Sequence, residues 1–216
     1  MILLLRIKLI KLFKKFGYRG SFDIDKLYHK NQQALYVNYQ KCFGKGNKIV
    51  IGKNNKIIGL KIVVQGNNNL IEIGKNNRLD QNSCIWVEGN NLITKIGNNC
   101  TFEGVHLANT ENNTKLEIGD DCMFSGGIDV RVGDSHSIVT SCDRNKRLNP
   151  AKNVKIGNHV WVGAYVSILK GVILADNNII GTRSLVNKSF LSENTLIAGI
   201  PARIVKVNVN WLREKI

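Results

Sequence analysis

From Ile156 the chain reads IGNHVW, VGAYVS, ILKGVI, LADNNI, IGTRSL, VNKSF, ending at Phe190. Every sixth residue is aliphatic: Ile156, Val162, Ile168, Leu174, Ile180 and Val186. The residue after it is small in four of these six units (Gly157, Gly163, Ala175, Gly181), and the fifth position runs Val160, Val166, Val172, Asn178, Ser184. A period of six fits neither a helix face, repeating at about 3.6, nor an alternating strand, repeating at about 2. It fits a coil of short strands that turns a corner every six residues, with an aliphatic side chain of each unit inside and a small residue at the bend. The spacing predicts an all-β parallel solenoid.

Weaker copies of the phrase lie upstream at Ile51-Gly52, Ile73-Gly74, Ile96-Gly97 and Ile118-Gly119, separated by 22, 23 and 22 residues. Three hexads make 18 residues, so each of these turns is expected to carry a bulge or small loop of about four more. Asn-rich stretches such as Gly66-Asn67-Asn68-Asn69 and Glu111-Asn112-Asn113 supply the left-handed backbone angles that corners require. The gap then widens to 38 residues between Ile118 and Ile156. The hexad signal fades after Val130, so residues 133–155 read as a loop thrown out from the coil, and long loops on rigid repeats are where function is placed. The expected organisation is a helix and cap over 1–45, the solenoid over 46–206, and a tail over 207–216.

At 216 residues with ordinary apolar content, the chain is unlike a disordered, collagenous or disulfide-scaffold protein. Its five cysteines (42, 84, 100, 122, 142) include no C-x-x-C pair, which argues against a zinc ribbon and fits a reducing, cytoplasmic compartment. The net charge of +15 points to an anionic partner. Part of it sits in residues 1–20, which carry six cations and no acid. There Ile2, Leu5, Leu9, Leu12 and Phe16 line one helical face, with Lys8, Lys11, Lys14 and Lys15 opposite. This basic amphipathic helix is too short and too charged to span a bilayer. It either docks on the body of the protein or lies against an anionic membrane, at the inner face of a bacterial cell.

The run VKIGNHVWVGAYVSILKGVIL, followed by IIGTRSLVNKSF and AGIPARIVK, resembles the C-terminal signature of the hexapeptide-repeat acyltransferases, in particular those that O-acetylate polysaccharides. The resemblance is dense from about Ile118 to Lys206 and thin before it. It implies a left-handed parallel β-helix, a hand that periodicity alone does not give. It also implies assembly as a homotrimer, acetyl-CoA as donor without a metal, and a sugar or glycan hydroxyl as acceptor, as in capsule biosynthesis.

Acetyl transfer from a thioester to an alcohol needs a base near neutral pKa, donors for an oxyanion, and a cradle for coenzyme A. Of the four histidines, His136 lies in the ejected loop, 25 residues before Trp161, in the phrase Asp134-Ser135-His136-Ser137-Ile138. Both features resemble the setting of the family's catalytic histidine, which implies His136 as base. Asp134 is then a candidate to fix its tautomer, though a backbone carbonyl or another carboxylate would serve equally. His106 falls roughly where the family contacts its acceptor, and Arg131 is taken as a second acceptor contact. His159 reads as a packed or surface-coil residue, and nothing around His29 suggests a role. For the donor, the resemblance implies contacts from Trp161, Gly163, Ala164, Thr182, Arg183, Asn187, Lys188, Arg203 and Lys206. Arg183 departs from the family pattern by standing where a glycine is usual. Cys100 and Cys122 occupy the inward fifth position, which favours burial over a nucleophilic role and hence direct transfer.

Three other readings compete. A trihistidine zinc enzyme of the γ-carbonic anhydrase type shares this solenoid, but the spacings among His106, His136 and His159 are wrong for its ligands. A non-enzymatic scaffold has no need of both the loop and the P-A-R-I-V-K phrase. Nucleic-acid binding lacks interleaved aromatics or a recognisable module. Within the acyltransferase reading, a small xenobiotic or free sugar is the alternative acceptor.

Overall fold

In a computed structural model, which describes residues 34–80 and 82–216, the chain winds into about six coils of a left-handed parallel β-helix with three faces. No α-helix occurs among the described residues, and the basic segment 1–20 lies outside them. One face, C, stacks β2 (Lys48–Ile51), β4 (Leu70–Ile73), β7 (Ile93–Ile96), β10 (Lys115–Ile118), β13 (Val154–Ile156) and β16 (Ile173–Leu174). Face B stacks β5 (Arg78–Leu79), β8 (Thr101–Phe102), β11 (Met123–Phe124), β14 (Trp161–Val162), β17 (Ile179–Ile180) and β19 (Thr195–Gly199). Face A stacks β6 (Cys84–Glu88), β9 (Val105–Thr110), β12 (Ile128–Arg131), β15 (Ser167–Ile168) and β18 (Leu185–Val186). The long strands β1 (Ala34–Phe43) and β3 (Lys56–Gln65) bend round the corner between B and A and join the two faces into one sheet. The prism therefore begins at least as early as Ala34, twelve residues before the start expected from the sequence.

The six aliphatic residues of the hexad column are all at most 1% exposed, and the fifth-position residues Val160, Val166, Val172, Asn178 and Ser184 are buried beside them. Where the chain turns from C to B, the third corner residue is left-handed in every coil: Asn54, Asn76, Asn99, Asp121, His159 and Asn177. Asparagine and aspartate tolerate this conformation because a short polar side chain bonds locally, and here Asn76 Nδ2 also donates to Asn99 Oδ1 of the next coil at 3.1 Å. The buried residue that follows ties the coils as well: Asn55 Nδ2 donates to the carbonyls of Gly52 and Gly74, and Asn77 Nδ2 to that of Gly97. The first corner residue must be small. A Cβ on Gly97 would stand 2.5 Å from the Gly119 carbonyl oxygen of the next coil.

The extra residues of the upstream coils form no separate bulge. They lengthen the strands of two faces, so that face A holds five or six residues per strand in β6 and β9 against two in β15. Face C likewise holds four in β7 against two in β16, while face B stays at two from β5 to β17. Where the long A and C strands diverge, a buried polar cluster closes the corner. Asn109 donates to Thr94 Oγ1 at 3.0 Å and accepts from Thr114 Oγ1 at 2.7 Å.

The end of the chain is attached to the prism. Strand β20 (Ala202–Val207) returns antiparallel to β19, and the segment beyond it crosses the C–B corner. Trp211 is 4% exposed, stacks on the His159 ring at 4.2 Å and donates its indole N–H to the His159 carbonyl. Arg213 reaches Asp121 Oδ1, Thr101 Oγ1 and the carbonyls of Asn99 and Cys122.

Candidate functional site

The loop leaves after Arg131 and rejoins at Val154, so it is ejected from the vertex between faces A and C. Because β10 pairs directly with β13, the 38-residue interval is one coil plus this excursion. Two ion pairs fasten the loop. Arg147 forms a two-pronged pair with Glu111, with Nη2 at 2.7 Å from Oε1, and Lys170 pairs with Asp134 while also donating to the Asn149 carbonyl. Glu111 has φ +84° at a corner position where Gly44, Gly66 and Gly89 stand in the earlier coils. A backbone conformation that normally demands glycine is held by a residue whose carboxylate is needed for the anchor.

At the centre of the loop sits Asn149, 7% exposed. Its Oδ1 accepts from the Ile138 backbone N–H and from Arg147 Nε, and its Nδ2 donates to Asp134 Oδ2 at 2.8 Å and to the His136 carbonyl at 2.9 Å. This side chain fixes the backbone that presents His136, whose imidazole is exposed. Among the described residues no hydrogen bond reaches that ring. Asp134 makes no hydrogen bond to the ring; its Oδ2 is held by Lys170 and Asn149, and Lys170 keeps the carboxyl below the usual carboxylate range. With His136 as the base that the sequence predicts, replacing Asn149 with Ala should lower kcat on the order of tenfold to a hundredfold by letting His136 drift, since displacements near 1 Å have such effects. The thermal midpoint should hardly move, because the prism lies outside the loop. An unchanged kcat would show that Asn149 does not position His136.

Beside this loop a cleft of about 590 Å³ opens between face A and the vertex, lined by Glu88, Thr110, Glu111, Asn112, Ser135 and Pro150 among others. On face A next to it, Trp86 donates its indole N–H to Glu88, and its ring meets His106 edge-on at 6.1 Å. His106 Nδ1 lies 2.8 Å from Asp129 Oδ1, and the other oxygen of Asp129 pairs with Arg131. The two expected acceptor contacts, His106 and Arg131, thus share one carboxylate. Burial pushes Asp129 up, but His106 and Arg131 outweigh it and hold it below the carboxylate range. The bond from Asp129, then one from Cys84, raises His106 from 6.5 to about 9.

A pH prediction follows from this shift. The folded pKa of His106 is raised, so the stabilisation from its pairing is fully present below about pH 6.5 and is lost as pH rises through about 9. The difference in thermal midpoint between the native protein and His106→Gln should therefore narrow between pH 6.5 and 9.5. A constant difference would refute the pairing.

The expected donor contacts divide between two regions. Gly163, Ala164, Thr182 and Arg183 line the B–A corner of the last coils, and Arg203 and Lys206 stand exposed on β20, the strand added beside β19 at the edge of face B. Arg183 is left-handed at φ +60°, donates its N–H to the Ala164 carbonyl and lays its guanidinium over the Tyr165 ring at 4.9 Å. Asn187 and Lys188 lie at the A–C vertex, away from this group, with Lys188 over the Phe190 ring. Trp161 faces outward on B, tilted against Trp211 at 6.2 Å. Its Nε1 is the one buried side-chain nitrogen or oxygen among the described residues that has no hydrogen-bond partner. That donor is covered within face B, with β17 and β19 between it and the exposed cations of β20; those cations suit a phosphate-bearing ligand such as coenzyme A.

His136 and Trp161 do not meet within one chain, because face B lies opposite the vertex that carries the loop. His159 is a structural residue, bonded through Nδ1 to Asp121 at 2.7 Å and covered by Trp211. The three histidines of the zinc comparison stand on face A, on the A–C loop and at the C–B corner. No group of three or more metal-ligating side chains occurs among the described residues.

Sequence reasoning missed Asn149, Lys170, Glu111, Trp86 and Asp129. Asp129 carried a usable signal: Cys84, His106 and Asp129 are 22 and 23 residues apart, which is the coil period. The loop anchors carried none.

The family model for bacterial transferase hexapeptide repeats (six repeats) matches residues 153–188. The polysialic acid O-acetyltransferase of Neisseria meningitidis is 36% identical over 88 residues, covering 41% of this chain and 40% of that protein. The galactoside O-acetyltransferase of Escherichia coli (strain K12) is 42% identical over 53 residues, 24% of this chain and 26% of that one. The chain thus spans less than half the length of these curated relatives. Solved structures align much further. That of the polysialic acid O-acetyltransferase OatWY has a TM-score of 0.66 at 32% identity, covering 84% of this chain and 93% of that one. That of the polySia-specific acetyltransferase NeuO has a TM-score of 0.66 at 28% identity, covering 92% and 91%.

Proposed function

The chain belongs to the hexapeptide-repeat acyltransferase family, and from that premise we propose that it moves acetyl from acetyl-CoA to a hydroxyl of a cell-surface polysaccharide or its sugar precursor. The observation that carries this reading is the pinned loop, which holds an exposed imidazole beside a polar cleft and the aromatic, cationic surface of face A. In this reading His136 takes the proton of the acceptor hydroxyl, and the oxygen attacks the thioester carbonyl directly. Acetyl-CoA supplies the activated acyl group. The exposed cations Arg183, Arg203 and Lys206 are the groups of this chain suited to hold its phosphates, with the Trp161 ring proposed to line the same side of the prism. A carboxylate-bearing glycan is the favoured acceptor, since a charged His106 and Arg131 beside Trp86 suit an acidic sugar, and polysialic acid is named for several relatives. A small xenobiotic or free sugar is the rival acceptor.

The assembly belongs to the same proposal. Since His136 and Trp161 occupy opposite parts of one prism, the reacting centre needs a second copy, and a homotrimer places each loop against a neighbour's face B. Co-expressing His136→Ala with Trp161→Ala chains should then recover part of the turnover that each lacks alone, and no recovery would count against a shared site. We place the enzyme in the cytoplasm, with residues 1–20 touching the inner face of the membrane.

The deciding assay follows release of coenzyme A with a panel of purified surface glycans, polysialic acid included, alongside galactosides and chloramphenicol. O-acetylated glycan is the expected product. Transfer to chloramphenicol or a galactoside with none to any glycan would overturn the acceptor class, and no transfer to any of them would overturn the activity.

A further inference from the structure

On the same part of face A as the proposed acceptor contacts, His106 also belongs to a second group of reactive side chains. Cys84, His106 and Asp129 occupy consecutive coils in direct register, Cys84 opposite His106 and His106 opposite Asp129. All three point outward and are partly exposed. Asp129 takes His106 Nδ1 at 2.8 Å and is itself held by Arg131, so the carboxylate engages one ring nitrogen and leaves the other unused by it, with Cys84 in register one coil away. The Trp86 ring flanks the imidazole edge-on. This is the order nucleophile, imidazole, orienting carboxylate, the arrangement that activates a weak nucleophile.

The remaining cysteines with described side chains differ. Cys100 and Cys122 are at most 1% exposed, and Cys142 is exposed with only the Thr140 hydroxyl near its sulfur, at 3.6 Å. Around these three side chains the ladders β6–β9 and β9–β12 take up the sheet backbone, which leaves it poorly placed to stabilise an oxyanion. The arrangement suits attack on sulfur better than attack on a carbonyl.

We propose that Cys84, His106 and Asp129 form a thiol-exchange site that takes small disulfides. The Cys84 thiol gives its proton to solvent, the charged His106 ring stabilises the thiolate, and the sulfur attacks one sulfur of R–S–S–R. A Cys84–S–S–R bond forms, the original S–S bond breaks, and R–S⁻ leaves to take a proton from solvent.

The test exposes the native full-length protein to oxidised glutathione at pH 7, with mass-spectrometric mapping of each cysteine over time. Cys84 should exchange at least tenfold faster than Cys142. His106→Gln should slow Cys84 by tenfold or more, and Asp129→Asn by several-fold, with Cys142 unaffected. Continued protection of Cys100 and Cys122 reports that each variant is folded. The proposal is overturned if native Cys84 reacts no faster than Cys142, or if its rate is the same in a folded His106→Gln or Asp129→Asn protein. None of these readouts depends on acetyl transfer.

Discussion

His136→Ala is expected to leave a folded protein whose turnover with acetyl-CoA and acceptor drops on the order of 10²–10⁴-fold, the range typical of losing a positioned general base, if His136 is the base proposed above. The size of the loss follows from the chemistry, and its cleanness follows from the structure. The imidazole is exposed and makes no hydrogen bond to the described residues, so its removal strips nothing from the core. The backbone around it stays fixed, because Asn149 holds the His136 carbonyl and not the ring. The thermal midpoint should accordingly stay within about 2 °C of the native value, as expected for an exposed substitution. His136→Asn should be as inactive as the alanine variant, since it keeps polarity and loses basicity. Coenzyme A release, read against a heat-inactivated control, is the measurement. Retention of more than about a tenth of native turnover lies outside the general-base range and would remove His136 from the mechanism.

The contrast between His136 and its supports shows what the sequence can and cannot carry. Ile156, Val162, Ile168, Leu174, Ile180 and Val186 announce the prism because each coil poses the same steric problem, an inward branched side chain followed by a tight corner, and the same solution recurs at fixed spacing. Cys100 and Cys122 were legible as buried for that reason, lying in the same inward column as Asn55 and Asn77. The strand lengthening on faces A and C was not legible as such, since four or five additional residues per coil fit an extended strand or a loop equally well. The loop is legible only as a break in the pattern. Its anchors pair Arg147 with Glu111 and Lys170 with Asp134, each 36 residues apart, and no local rule links those positions. Trp161 is the intermediate case: its neighbours in the hexad place it on face B, but the Trp211 ring against it comes from fifty residues on.

Phe124→Ala is expected to be the most damaging single truncation in the prism, lowering stability by about 3–5 kcal/mol. Phe124 is fully buried, and its ring stacks on Phe102 of the preceding coil with centroids 4.7 Å apart and planes 15° from parallel. The two rings fill the interior behind face B, and the column continues as Leu79 below and Val162 above. Removing one ring forfeits its burial and the aromatic pairing together, and the neighbours cannot close the gap. Coil spacing is fixed on all sides by ladder hydrogen bonds such as Ser125 N–H to the Val162 carbonyl and Met123 N–H to the Val160 carbonyl. In a solenoid each coil is supported only by its neighbours, and β11 lies in the coil from which the His136 loop departs. The thermal midpoint should fall by about 6–20 °C, at roughly 2–4 °C per kcal/mol for a chain of this size. Phe124→Leu, which keeps most of the volume, should recover more than half of the loss. A drop of under about 3 °C for the alanine variant would mean that the interior at this level can relax, and that the stacked pair is not what holds the middle of the prism.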